Sequence, residues 1–199
     1  MQKRLFVAIT IPDEVEKAIS YEADALSAEL PAELGARFIS QHKLHFTIIF
    51  LDSQEEEGIP HMIEAIEEAV SDMEPFEVNI VRMDYAPEGD QKRMIWAYGN
   101  ISPSMEDLKG RIEKSFENHG IWFPRSKVKF VPHITLARFE PTDVTMLPEI
   151  AGKLDMKFNV LSVELVESER PALANQRRGE PDGSEYHELA SVDFGLKGR

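Results

Sequence analysis

Alternation of apolar and polar residues predicts strands over much of the chain, and a helical period predicts three helices between them. The segments with a strand-like or extended pattern are residues 5–11, 36–39, 43–51, 76–83, 93–98, 128–139, 156–166 and 186–194. The segments with a helical period are residues 14–29, 55–73 and 104–119, the first with Asp13 as its N-cap. Because several strands follow one another without an intervening helix, the order favours an α+β fold with largely antiparallel sheets.

The plan of strands and helices starts again near Ser102, which divides the chain into two similar halves. No low-complexity segment or flexible linker separates the halves. We therefore expect a single domain over residues 1–199. It consists of two pseudo-symmetric lobes with sheets flanked by helices, and an active-site cleft lies between the lobes.

Two strands carry the same polar pair on an otherwise apolar pattern. In KLHFTIIFL, residues 43–51, His45 and Thr47 share one strand face, while Phe46, Ile48 and Phe50 share the other and pack the core. The second strand, FVPHITLARF at residues 130–139, repeats the pair as His133 and Thr135. The repetition predicts that the two lobes bring these strands together across the cleft.

The repeated pair has the chemistry of an acid, a base and two anion ligands. Two imidazoles with pKa values near 6.5 can divide the roles of proton acceptor and proton donor at neutral pH. Two threonine hydroxyls can bind the oxygens of a phosphate. The sequence shows neither a Ser or Cys nucleophile paired with an Asp-oriented histidine nor a carboxylate-rich magnesium site. The set suits metal-free, in-line attack on a phosphodiester.

Two other interpretations of the histidines are open. His42 and His45 have the spacing of a metal-binding pair on a helix, but on a strand they would point to opposite faces, and no Asp or Glu stands two residues from His45 or His133. Both histidines could also be hydrogen-bonded core residues. That interpretation does not account for a threonine at the same spacing in both strands.

Composition and charge restrict the partners. A hydrophobic fraction of 42% with 29% charged residues is typical of a soluble globular protein, and no apolar run reaches the roughly 18 residues of a membrane span. The absence of cysteine excludes disulfides and thiolate chemistry, so we expect a cytoplasmic protein. The 22 basic and 36 acidic residues give a net charge of −14, which would repel long nucleic acids. Any nucleic-acid site must therefore be a small pocket with its own positive charges.

The sequence resembles the 2H phosphoesterases, which are defined by two HxT motifs, and in particular the bacterial and archaeal RNA 2',3'-cyclic phosphodiesterases, historically called 2'-5' RNA ligases. The segments that carry the resemblance are RLFVAITIP, LHFTIIFL, RMIWA, VPHITLARF, VELVESER and GSEYHEL, in the order of the family. The resemblance implies an RNA-processing hydrolase that opens the 2',3'-cyclic phosphate of an RNA end or nucleotide to a 2'-phosphate, without metal or other cofactor, as a monomer. Reverse 2'-5' ligation is implied as a side activity.

The resemblance also implies roles for individual residues. His45 and His133 would be the acid–base pair, and Thr47 and Thr135 would hold the phosphate. Arg138 would add positive charge, although strand alternation places it on the face opposite His133. The sequence departs from the family pattern at three positions: Ile49 replaces a basic residue, Asp52 a glycine, and Phe38 a tryptophan.

The sequence leaves several alternatives open. The substrate could be another phosphodiester, such as a 2'-5'-linked oligonucleotide or a small cyclic nucleotide, and the protein could be a non-catalytic module that binds RNA ends. The symmetry of the motifs does not say which histidine is the acid. Two basic clusters are candidate RNA contacts, namely Arg125 with Lys127 and Lys129, and Arg177 with Arg178 in a polar loop.

Overall fold

The structure, a computed structural model, describes residues 1–126, 128–150, 152–169 and 185–195. Its strands are β1 (Gln2–Thr10), β2 (Arg37–Phe38), β3 (His45–Glu55), β4 (Phe76–Ala86), β5 (Gln91–Gly99), β6 (His133–Asp143), β7 (Lys153–Val160), β8 (Ser162–Glu169) and β9 (Glu185–Asp193). Its α-helices are α1 (Asp13–Glu29), α2 (Ile59–Val70) and α3 (Pro103–Asn118). Short 3-10 turns connect some of these elements.

The described strands form one sheet in the order β7-β4-β5-β6-β3-β1-β8-β9, with β2 added beside β6, and every pairing is antiparallel. The sheet has two halves, because β6 and β3 meet through a single residue pair, Phe46 with Ile134. One half contains β7, β4, β5, β6 and β2, and the other contains β3, β1, β8 and β9. The predicted α+β class with antiparallel sheets in two lobes is confirmed.

The helices cover the sheet and bury the apolar stripes that the sequence predicts. Helix α3 begins at its N-cap Ser102, whose hydroxyl accepts a hydrogen bond from the Met105 amide at 3.2 Å. Its buried face packs against α2, and Ser115 donates a hydrogen bond to the Ala65 carbonyl of α2 at 2.8 Å. In the part of the chain that the structure describes, no helix is long and apolar enough to cross a membrane.

Two local predictions are wrong. The predicted single strand over 156–166 is two strands, β7 and β8, which belong to opposite lobes and are separated by Leu161. The chain crosses from one lobe to the other at Leu161, whose side chain is 58% exposed. Because leucine is apolar and is not a turn-forming residue, the sequence gives no sign of a break there. Asp13 does not cap α1: Pro12 is the N-cap, without a side-chain hydrogen bond, and Asp13 lies in the first turn, where its negative charge suits the helix dipole.

Asp52 adopts a left-handed backbone with φ of 57°, at the position where the resembled family carries glycine. A Cβ atom makes this conformation costly, although less so for Asp than for most residues. We expect Asp52→Gly to raise the free energy of unfolding by about 0.5–1 kcal/mol, after subtraction of the entropy that glycine adds to the unfolded chain. Urea unfolding measures this change. Asp52→Ala is the matched control, because it removes the same carboxylate but keeps the Cβ, and a comparable gain in that variant would contradict the explanation.

Candidate active site

Both His-Thr pairs line one cleft between the lobes. Strands β3 and β6 begin at His45 and His133, and their only residue pair, Phe46 with Ile134, lies just after each histidine. Because alternate residues of a strand point to opposite faces, pairing at this point places both His-Thr pairs on the same side of the sheet. The cleft has a volume of about 300 Å³, and its lining includes His45, Thr47, His133 and Thr135.

A β-bulge interrupts each of these strands three positions after its histidine. In β3 the partners of Thr47 and Ile49 are the consecutive residues Ala8 and Val7 of β1, so Ile48 is the extra residue. In β6 the partners of Thr135 and Ala137 are the consecutive residues Trp96 and Ile95 of β5, so Leu136 is the extra residue. An extra residue shifts the alternation of faces by one position. The fifth residue after each histidine therefore returns to the cleft side.

The bulges overturn two predictions. Phe50 does not pack the core with Phe46 and Ile48; its side chain is 55% exposed and lines the cleft. Arg138 does not lie opposite His133; it lines the same cleft as both histidines. Phe50 and Arg138 occupy equivalent positions in the two lobes, so the cleft has an aromatic ring on one side and a guanidinium on the other.

Each histidine is held by the same hydrogen bond. The Nδ1 atom of His45 lies 2.8 Å from the Lys43 carbonyl oxygen, and the Nδ1 atom of His133 lies 2.7 Å from the Val131 carbonyl oxygen. A carbonyl only accepts hydrogen bonds, so Nδ1 carries the proton in both rings. In the neutral ring the lone pair is then on Nε2, which is the atom available to take or return a proton.

Aromatic side chains of neighbouring strands support both imidazoles. Phe6 of β1 packs on His45 with ring centroids 4.9 Å apart, and Trp96 of β5 stacks on His133 at 3.6 Å with planes inclined by 19°. Tyr186 of β9 adds an edge contact to His45 at 5.1 Å. The sequence did not predict these contacts, because they depend on which strands are neighbours and in what register.

The cleft environment favours neutral histidines in the free protein. Burial lowers the pKa of His45 to about 4, and the charges of Arg138 and His133 act in the same direction, against the hydrogen bond to Lys43. Burial and Arg138 also lower the pKa of His133. This differs from the expectation of one neutral and one charged ring at neutral pH. Both rings are therefore neutral at neutral pH more readily than a free imidazole is.

The lowered pKa of His45 predicts a loss of stability in acid. Between pH 6.5 and about 4 the unfolded chain binds a proton at this residue and the folded protein does not, so the free energy of unfolding falls as pH falls. A pKa difference of this size lowers the free energy of unfolding by on the order of 3 kcal/mol. Urea unfolding at pH 7.5 and 4.5 should show a smaller loss in His45→Asn than in wild type. His61→Asn, at a half-exposed site on α2, is the control and should follow wild type; an unchanged pH dependence in His45→Asn would contradict the lowered pKa.

The lining of the cleft is positive although the chain is strongly negative. Besides Arg138, the cleft is lined by Arg4 and Lys43, and no Asp or Glu is among the described residues that line it. The Lys43 ammonium also lies 3.0 Å from a carboxylate oxygen of Glu185. The protein thus has a small, locally positive pocket, as the net charge of −14 requires of any nucleic-acid site in this chain.

Of the two basic clusters that the sequence offers as RNA contacts, only Arg125 and Lys129 of the first are among the described residues. Arg125 forms an ion pair with Glu117 and lies over the Phe123 ring, and it does not line the cleft. Lys129 lines a second groove beside the cleft. Lys127, Arg177 and Arg178 lie outside the described residues. Within the described ranges, no group of three or more His, Cys, Asp or Glu side chains is arranged to hold a metal ion.

Known proteins are similar to the chain in sequence and in fold. The model of the 2'-5' RNA ligase superfamily matches residues 12–172. The chain is 28% identical over 170 residues to the RNA 2',3'-cyclic phosphodiesterase of Thermus thermophilus, covering 83% of this chain and 82% of the relative. It is 24% identical over 155 residues to the protein of that name from Methanothermobacter thermautotrophicus, covering 77% and 81%.

Solved structures match along almost the whole chain. The crystal structure of TT0787 of Thermus thermophilus superposes with a TM-score of 0.75 and 24% identity, covering 98% of this chain and 100% of that one. The structure of E. coli LigT complexed with 3'-AMP gives a TM-score of 0.71 at 18% identity, covering 98% and 99%. These likenesses establish the fold, and the family model spans most of the sequence. The chain belongs to the 2'-5' RNA ligase superfamily, the 2H phosphoesterases.

Proposed function

We propose that the protein hydrolyses the 2',3'-cyclic phosphate of RNA ends or nucleotides to a 2'-phosphate, by a metal-independent mechanism with two histidines. The observation that carries the proposal is the presence of both His-Thr pairs and Arg138 around one positive cleft. Relatives named RNA 2',3'-cyclic phosphodiesterase support the choice of substrate. That the protein is a cytoplasmic monomer stays a prediction from the sequence.

Three side chains would bind the phosphate. The hydroxyls of Thr47 and Thr135 donate hydrogen bonds to its non-bridging oxygens, one from each lobe. The guanidinium of Arg138 adds a charge-assisted contact and stabilises the negative charge that grows on these oxygens during attack. The absence of a carboxylate among the described lining residues keeps the pocket favourable for an anion.

The two histidines would move the protons. The neutral Nε2 of one takes a proton from water as its oxygen bonds to phosphorus, and the other, charged, gives a proton to the departing 3' oxygen as the P–O3' bond breaks. We assign the base to His45, whose pKa of about 4 keeps it neutral. We assign the acid to His133, since the stacked Trp96 ring favours an imidazolium and the bound phosphate raises its pKa.

The product of 2',3'-cyclic AMP tests the proposal directly. We expect ³¹P NMR to show 2'-AMP as the sole monoester, formed at the same rate with and without EDTA. Formation of 3'-AMP would contradict the assigned leaving group, and inhibition by EDTA would contradict the metal-independent mechanism. Tight binding without turnover would identify a non-catalytic module that binds RNA ends. A panel with 2'-5'-linked oligonucleotides and small cyclic nucleotides separates the remaining phosphodiester substrates.

The same groups would catalyse the reverse reaction by microscopic reversibility. In ligation a 5'-hydroxyl takes the place of water: it gives its proton to His45 as its oxygen bonds to phosphorus, and His133 protonates the 3' oxygen as the P–O3' bond breaks, which leaves a 2'-5' bond. Each histidine keeps the role that it has in hydrolysis, and the roles are exchanged only in cleavage of a 2'-5' bond, of which ligation is the reverse. We expect this ligation to be a side activity, because water reaches the partly exposed histidines in the free protein and competes with a second RNA end.

A further inference from the structure

A second groove opens from the catalytic cleft, and its chemistry is different. This aromatic groove has a volume of about 650 Å³ and shares Thr47, Phe50, Trp96 and His133 with the cleft. Its remaining lining comes from strands β3 and β5, the turn between β4 and β5, helix α3, and residues 124, 126 and 128–131. The lining residues used below are Tyr98, Lys109, Glu113, Val128, Lys129 and Phe130. The shared residues make the groove and the cleft continuous.

The charges of the groove cancel. Lys109 and Glu113 of α3 form an ion pair across its wall, and the Lys109 ammonium also lies 5.9 Å from the centroid of the Phe130 ring. The other charged residues that line it are Glu88 and Lys129, one of each sign. The catalytic cleft, by contrast, is lined by three cationic residues and, among the described residues, no acid. A phosphate is therefore favoured in the cleft, and an uncharged planar group is favoured in the groove.

The groove presents apolar surface to water. Phe50 is 55% exposed and Val128 is 78% exposed, while the rings of Trp96, Tyr98 and Phe130 form the walls. Exposed apolar and aromatic surface beside a phosphate site is the arrangement that binds single-stranded nucleic acid by stacking on bases. The volume lies within the range of roughly 300–1,000 Å³ of pockets that bury whole ligands, which is more than one nucleobase fills.

We propose that the outer part of the aromatic groove, formed by Val128, Lys129 and Phe130, binds the nucleobase of the nucleotide that precedes the cyclic-phosphate end. The inference rests on the proposed function and specifies its substrate class: an oligonucleotide end is preferred to a mononucleotide. Phe50 and Trp96 border the reacting nucleotide, and the next base stacks beyond them. Because the contacts are stacking contacts with a neutral wall, the preference does not depend on the identity of that base.

The test compares kcat/KM for 2',3'-cyclic AMP with that for the dinucleotide ApA carrying a terminal 2',3'-cyclic phosphate. We expect the dinucleotide to be favoured about tenfold or more in wild type, as one stacked base provides. An analogue whose 5' nucleotide lacks its base should lose this advantage. If the abasic analogue keeps it, the backbone and not the base is bound, and the proposal is wrong.

Two variants locate the subsite. Val128→Asp places a carboxylate in the outer groove and should reduce the preference for the dinucleotide about tenfold. Val144→Asp is the matched control and should keep the preference, because it makes the same charge change at an exposed site that lines neither the groove nor the cleft. Phe130→Leu removes the ring with little loss of bulk and should reduce the preference several-fold. An unchanged preference in both groove variants overturns the subsite. Equal turnover of both substrates by wild type also overturns the subsite alone, whereas turnover of neither overturns the proposed function and the subsite with it.

Discussion

Replacing either His45 or His133 with alanine is expected to lower kcat for hydrolysis of 2',3'-cyclic AMP by about 10²–10⁴-fold, the usual contribution of a positioned proton-transfer group. Because the proposed mechanism uses both rings in one concerted proton transfer, the loss of kcat in the double variant should be far smaller than the product of the two single losses. Steady-state kinetics on the three variants measures both effects. His61→Ala, on helix α2, is the control and should keep wild-type kcat.

Asparagine separates the catalytic role from a structural one. The side-chain amide nitrogen of Asn takes the place of Nδ1 and can still donate to the Lys43 or Val131 carbonyl, but nothing replaces Nε2. His45→Asn and His133→Asn should therefore fold and remain nearly as inactive as the alanine variants. Wild-type turnover in either asparagine variant would remove that histidine from the mechanism.

The pH dependence follows from the same pair. In the proposed mechanism the form of the free enzyme that reacts has His45 neutral and His133 charged, and the pKa values of both histidines are lowered from 6.5. We expect a bell-shaped profile of kcat/KM whose optimum lies on the acid side of pH 6.5, with the acid limb near the pKa of His45, about 4. An optimum well above pH 7 would contradict the lowered pKa values.

Phe46→Ala is expected to cost about 3–5 kcal/mol in free energy of unfolding, the largest stability loss among the substitutions considered. Phe46 is fully buried at the single residue pair that joins the two halves of the sheet. Its ring stacks on Phe158 at 6.4 Å, and it fills the space beside Gly99 so closely that a Cβ atom there would lie 2.9 Å from the Phe46 ring. Truncation leaves a cavity between the lobes.

The matched control for this substitution is Phe50→Ala, the same change on the same strand. Phe50 is 55% exposed, so its truncation should cost about 1 kcal/mol or less. Urea unfolding of both variants measures the difference. The cleft lies directly over the pair of Phe46 and Ile134, so Phe46→Ala should also lower kcat although it touches no substrate. Equal losses of stability in the two variants would contradict the bulge in β3, which assigns the two rings to opposite faces.

The sequence predicts the histidines and threonines of the site because their chemistry is repeated with one spacing, and the fold brings those four residues to one cleft. It does not predict the places of Phe50 and Arg138, because strict alternation holds only while the ladder is regular. The residues that break the ladder, Ile48 and Leu136, are ordinary apolar strand residues with no turn signal.

Contacts between neighbouring strands are the other feature that the sequence does not predict. Phe6 and Trp96 support the two imidazoles through the pairings of β1 with β3 and of β5 with β6. A single sequence does not show which strands pair with each other. From the sequence alone, the two aromatic residues are therefore interpreted as core residues of their own strands. The division of residues 156–166 between two lobes was missed for the same reason: partners, and not local propensity, end β7 at Val160 and begin β8 at Ser162.

The difference between Phe50 and Arg138 has a consequence for regiochemistry. A cleft made of two identical halves would bind a cyclic phosphate in two orientations related by its pseudo-symmetry. The 2' and 3' ester oxygens would then face the proton donor equally often, and both monoesters would form. A ring at one of the equivalent positions and a guanidinium at the other make the two orientations unequal in energy. The two bulges bring these unlike residues to the cleft, and in the proposed reaction their difference allows a nearly symmetric frame to distinguish two adjacent ester bonds of the same ring.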